Sequence, residues 1–170
     1  MKALSITNKT CSLDYFLPCL NGPVKVRIDS DTRKSINQSH KIFLELLSNG
    51  QKIYGVTTGF GDLSSISINE NDQKQLQLNL LRSHATGVGK SFDLGITRII
   101  MVLKLINWSK GVSGVRLELV QLLKELLNHD ILPVIPRQGS VGASGDLAPL
   151  AHMALPLIGE GLVNFQERIM

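Results

Sequence analysis

The stretch G139-S-V-G-A-S-G-D-L-A-P-L-A-H-M-A-L155 sets three small residues, Ala143-Ser144-Gly145, in a glycine-rich loop just ahead of a strongly helical run. Such a loop is either a plain turn or cap, for which Ser144 or Asp146 would serve, or a place where the backbone itself reacts. An amide nitrogen is normally a poor nucleophile, held planar by resonance. In a tight enough bend, however, the Gly145 nitrogen approaches the carbonyl carbon of Ala143 and closes a five-membered ring. Gly145 has no side chain to obstruct that bend, and Ala143 is almost as unobtrusive. Loss of the Ser144 hydroxyl as water then leaves an exocyclic methylidene. The product, a methylidene-imidazolone, is an electrophile that no standard side chain provides. Gly139 and Gly142 give the loop slack, and a helix starting near Asp146 sets partial positive charge beside the ring. As a bare tripeptide, Ala-Ser-Gly is a weak signal; its surroundings decide.

At 170 residues the chain suits one core-bearing domain. With 43% hydrophobic and 19% charged residues it has the profile of a globular protein rather than a disordered one. The net charge of +4 is scattered, without a basic run interleaved with aromatics, so no nucleic-acid partner is expected. Cys11 and Cys19 lack CxxC spacing or a histidine partner and read as reduced thiols; no metal site is expected. The N-terminus lacks the sustained apolar stretch of a signal peptide. The most apolar segment, Ile96 to Trp108, carries Arg98 and Lys104 and is too short to span a bilayer. The expected location is therefore the cytoplasm, with no membrane partner.

Periodicity gives a short strand over Val24–Ile28, where apolar residues alternate. Asp29, Ser30 and Asp31 offer N-caps for a helix over about Thr32–Leu47, with Ile36, Phe43, Leu44 and Leu47 on its apolar face. The loop I53-Y-G-V-T-T-G-F-G61 follows, then a helix from Asn69 to Ser83. The segment Leu94–Trp108 is apolar almost all round, which predicts burial on most sides. In an isolated segment much of that face would be exposed and would favour self-association. Leu119, Leu122, Leu123, Leu126 and Leu127 fall at helical spacing opposite Glu118, Gln121, Lys124 and Glu125. Prolines keep Ile131–Pro136 extended, and a last helix begins at Asp146. Two familiar motifs fail. Gly89-Lys90-Ser91 has His84 where a phosphate loop needs its first glycine, and Gly142 to Asp146 ends in aspartate where a nucleophile elbow needs glycine.

The opening stretch closely resembles that of the aromatic amino acid ammonia-lyases, a family in which this tripeptide cyclises autocatalytically. Y54-G-V-T-T-G-F-G61 resembles the family's catalytic tyrosine loop, and N79-L-L-R-S-H-A-T-G-V-G89 its substrate-selecting helix end, in the same order. Ser113-Gly114-Val115-Arg116 and Pro133-Val134-Ile135-Pro136 extend the likeness from about Val24 to Gly161. The resemblance implies a mainly α fold: the N-terminal part of an ammonia-lyase-type helical fold, with a short strand and the cofactor loop ahead of a helix. Residues 1–170 would form one cofactor-forming segment of a longer enzyme whose downstream helical bundle is absent. Full-length members are homotetramers whose sites draw on several subunits, so the segment alone is expected to be inactive.

By the same resemblance, Ser144 becomes the electrophile within the ring built from Ala143, Ser144 and Gly145, with no metal and no external cofactor. Tyr54 is the base that removes the β-hydrogen. An ordinary tyrosine is a weak base at neutral pH, so nearby dipoles or cations would have to stabilise its phenolate. Ser83 and His84 contact the substrate together with Gly61, while Gly142 and Asp146 support the loop. The pair Ser83-His84 resembles that of the histidine enzymes, which makes histidine the expected substrate and urocanate the product. Thr57 departs from this, since many histidine enzymes carry asparagine there. A tyrosine or phenylalanine lyase or aminomutase, or an inactive helical module, is the alternative. His40, His129 and His152 read as packing or solvent-facing residues.

Overall fold

The computed structural model describes residues 2–9 and 11–170, with Ser144 described by its backbone alone. The chain opens with strand β1 (Lys2–Ile6), a 3-10 turn and the short helix α1 (Leu17–Asn21). Strand β2 (Val24–Ile28) then pairs parallel to β1, Lys2 opposite Val24 and Ile6 opposite Ile28. Parallel pairing needs a crossover connection, and α1 lies within it. The alternation expected of Val24–Ile28 is present: Val24, Val26 and Ile28 are buried and Lys25 and Arg27 exposed. The far edge of β2 is closed by one side chain. Asn128 accepts from the Val26 amide at 2.7 Å and donates to its carbonyl at 3.3 Å, which occupies groups that would otherwise template another strand.

Helix α2 (Ser30–Ser48) starts at Asp29, whose carboxylate accepts from the Thr32 amide at 2.7 Å. Helix α3 (Glu70–His84) and strand β3 (Val88–Ser91) precede helix α4 (Leu94–Ser109), and helix α5 (Leu117–Asn128) follows. Next come β4 (Leu132–Pro133) and β5 (Pro136–Gln138), then helix α6 (Leu147–Ala154), a 3-10 extension over Leu155–Ile158, and the hairpin β6 (Val163–Phe165) and β7 (Arg168–Ile169). β5 runs antiparallel to β3, and β6 lies between β4 and β7. The core joins β1 and β2 to α4 and α5 through Leu4, Val26, Met101, Leu105, Leu123 and Leu127. Each such leucine contributes roughly 2 kcal/mol by leaving water.

Three expectations are corrected. Leu44 of α2 is half exposed, so the face of that helix that packs inward centres on Thr32 and Ile36. In α5 the fully buried positions are Val120, Leu123 and Leu127, while Leu122 lies 41% exposed; the leucine stripe is offset from the true packing face by one position. In α4, burial is one-sided and includes a charge. Arg98 is buried and donates to both carboxylate oxygens of Asp130 at 2.7 and 2.9 Å, while Leu103 stands 48% exposed. Among the described residues, no helix is long and apolar enough to cross a membrane.

Candidate active site

The loop after α2 is organised by its threonines. The Ile53 amide donates to Thr57 Oγ1 at 2.8 Å and the Gly55 amide to Thr58 Oγ1 at 3.2 Å. Thr57, where the resemblance led to asparagine, thus closes the turn with its own hydroxyl. Gly55 sits at φ 71° against the Phe60 ring, so no larger residue fits there. Tyr54 is left 63% exposed, its ring edge-on to Phe60 at 5.7 Å and its hydroxyl oxygen accepting from the Gly61 amide at 3.2 Å.

His84 is the last residue of α3 and is half-buried. Its Nδ1 lies 2.9 Å from the Leu80 carbonyl oxygen, which can only accept, so in the neutral ring Nδ1 is the donor and Nε2 the acceptor. Ser83 is exposed; its hydroxyl bonds the Leu80 carbonyl at 3.1 Å and lies 3.1 Å from His84 Nδ1. It therefore adjoins the protonated side of the ring. The middle of α3 is tied to the tyrosine loop where Gln77 Nε2 donates to the Gly55 carbonyl at 2.6 Å.

The tripeptide loop bends sharply. A 3-10 turn over Gly142–Ser144 runs into Gly145 at φ 80° and Asp146 at φ 60°, both left-handed, before α6 begins at Leu147. Asp146 occupies the N-cap position but makes no cap bond with its side chain. Its carboxylate accepts instead from the Ser140 hydroxyl, which pins the two ends of the loop together. Gly139, at φ 132°, lies against Gly87, where an added Cβ would come within 2.9 Å of the Gly87 Cα. Gly87 in turn donates its amide to His152 Nε2 on α6 at 3.0 Å. The loop, the exit of α3 and α6 therefore meet at one point.

Two adjoining hollows result. The larger, of about 890 Å³, is lined by Tyr54, Gly61 and His84 and by Leu147, Leu150 and Ala151 of α6, and its walls are mostly apolar. The smaller, about 420 Å³, is lined by Ser140, Gly145 and Asp146 with Phe92 and Ile100. Lys104 and Leu150 border both. Ser83, Gly142 and Ala143 line neither, and the Ser144 side chain lies outside the described residues. Lys104 and Arg116 were not anticipated as site residues. Lys104 Nζ stands 5.3 Å from the Trp108 ring centroid, a cation–π distance, and burial holds its ammonium below the usual lysine range. The signal was present, since a lone lysine on an apolar helix needs a reason to be there. Among the described residues, no group of three or more His, Cys, Asp or Glu side chains is placed to hold a metal ion.

Residues 12–170 match the model of the aromatic amino acid lyases. The chain is 46% identical to histidine ammonia-lyase of Photorhabdus laumondii over 166 residues, covering 98% of this chain and 32% of that protein. Among solved structures, ergothionase from Treponema denticola superposes with a TM-score of 0.94 at 30% identity, over 99% of this chain and 34% of that one. Tyrosine aminomutase from Streptomyces globisporus gives 0.91 at 34% identity, over 99% and 31%. The chain belongs to the aromatic amino acid lyase family. It spans about a third of the length of the curated relatives it matches.

Proposed function

We propose that this chain is the cofactor-forming part of a histidine ammonia-lyase, which eliminates ammonia from L-histidine to give urocanate. The observation that carries the reading is the shared cavity of Tyr54, Gly61 and His84, whose wall continues through Leu150 to the loop of Ala143, Ser144 and Gly145. The tight left-handed bend at Gly145 fits ring closure, because it folds the chain back at the residue whose nitrogen must attack. Once formed, the methylidene-imidazolone supplies the electrophile that makes the amine a competent leaving group. Tyr54 takes the β-proton: its hydroxyl is exposed to the cavity, and the Gly61 amide donates to the same oxygen that must bear negative charge. His84 accepts the substrate imidazole N–H through Nε2, the nitrogen left unprotonated by the Leu80 contact.

The histidine reading is supported by the Ser83-His84 pair and by relatives named histidine ammonia-lyase at 41% to 46% identity over nearly the whole chain. The remaining two thirds of such an enzyme would complete the site and a homotetramer in the cytoplasm, with residues 1–170 forming a single segment of it. Joining this chain to the downstream part of a histidine ammonia-lyase should yield urocanate, followed by its absorbance, while the 170-residue chain alone yields none. Cinnamate from phenylalanine, or coumarate from tyrosine, in place of urocanate would overturn the substrate assignment.

A further inference from the structure

Helix α3 presents His84 to the cavity, yet none of its side chains is fully buried. Beside half-buried leucines and contacts with α6, it has polar attachments, and the one nearest its end spans the chain. Arg82 Nε donates to both carboxylate oxygens of Glu160 at 3.2 and 3.1 Å, and Nη2 donates to Oε1 at 2.5 Å. Exposed ion pairs usually contribute little. This one differs because a forked guanidinium on a carboxylate fixes orientation as well as distance. Glu160 is itself held: its amide donates to the Leu155 carbonyl at 3.0 Å, which fastens the turn to the end of α6. Hydrogen bonds from Arg82 keep the Glu160 carboxyl below the usual carboxylate range.

Residues two apart on a helix point to nearly opposite sides, about 200° around the axis. Arg82 thus leaves α3 at a different angle from His84, while Leu157 and Ile158, just before the 160 turn, line the same cavity as His84; the grip on that turn sets the rotation of the helix. We propose that the Arg82–Glu160 pair is a positioning latch that fixes the end of α3 and so holds the His84 imidazole facing the cavity. Its bearing on substrate selection rests on the proposed role of His84; the latch does not.

The test uses the 170-residue chain with Arg82→Glu, Glu160→Arg, and the exchange carrying both. Amide exchange across Leu80–Ala85 and the ring nitrogen resonances of His84, identified by their loss in His84→Gln, are the readouts. Each single change should speed exchange there by about five-fold, shift the His84 resonances and leave α4 protection unchanged; the double exchange should restore both. Unaltered exchange with unmoved His84 resonances would overturn the latch. So would a loss of protection throughout the chain, or failure of the double exchange to rescue. If both single variants prove too unstable to measure, wild type against 1 M salt gives the same comparison, since screening at that strength reaches about 3 Å: local loosening at α3 supports the latch and none refutes it. No turnover enters these measurements, so the latch and the histidine reading fail separately.

Discussion

Helices α4 and α3 are almost equal in length, 16 and 15 residues, and differ in nearly everything else. α4 contributes seven buried residues and stands at the centre of the core; α3 contributes none. α4 is held by packing in the core. α3 is held by a glutamine on a loop carbonyl, an arginine on a distant glutamate and contacts with α6. His84 of the candidate site stands on the weakly held helix, while α4 supplies one wall through Ile100 and Lys104. The lesson is that the candidate catalytic residues Tyr54 and His84 are not the residues that form the core, though core helices wall the site, and substitutions should separate the two roles.

The largest separation is expected at Ser144. In a complete enzyme containing this segment, Ser144→Ala should abolish turnover and prevent the loss of two waters seen by intact mass, while changing stability by less than about 0.5 kcal/mol. Turnover by a folded Ser144→Ala enzyme would remove the chemical half of the contrast.

The structural half is tested by equal truncations in the two helices. Leu105 is completely buried in α4 and Leu80 only half-buried in α3. Leu105→Ala should lower the urea-unfolding free energy by about 3 kcal/mol, through lost transfer energy and a residual cavity, and Leu80→Ala by about 1 kcal/mol or less. Equal losses would mean that α3 is part of the core after all.

The buried charge in α4 sharpens the same comparison. Asp130, at φ 55°, terminates α5 in a left-handed conformation that aspartate and asparagine both tolerate. Asp130→Asn should keep the turn while leaving the Arg98 guanidinium buried without a counter-charge, a loss of about 2 kcal/mol in the same assay. An unchanged midpoint would show that the Cys19 carbonyl, 3.4 Å from Arg98, suffices.

This division also explains what was legible in the sequence. Helices with caps and period, such as α2 with Asp29 and α5 with its leucines, were readable to within a few residues because the signals are local. The packing face of α5 was misplaced by one position because Leu122 and Val120 are both apolar, and only neighbours decide between them. β1 was missed because five residues carry too little pattern and its partner lies beyond α1. Arg98 and Asp130 were missed because their pairing spans two helices. Tyr54, His84 and Gly145 were singled out through long motifs, yet that they line adjoining hollows depends on contacts such as Gly139 on Gly87 that no periodicity announces. Lys104 was visible as an oddity and interpretable only in space.

The smallest effect concerns that same meeting point. Burial holds the His152 imidazole below its ordinary range, and Nε2 must stay unprotonated to accept the Gly87 amide. As pH falls through about 6.5, the ordinary imidazole value, the unfolded chain takes up this proton before the folded one does. Protons bound by the unfolded state then exceed those bound by the folded state, so stability rises with pH in the window between the depressed folded value and about 6.5. The contribution is fully present above that window and lost below it. His152→Gln, which retains an acceptor but cannot titrate, should flatten the dependence of the urea midpoint between about pH 5 and 7 relative to wild type. An identical slope in both proteins would show that the exit of α3 is indifferent to the protonation of α6, and that the weakly held helix is anchored elsewhere.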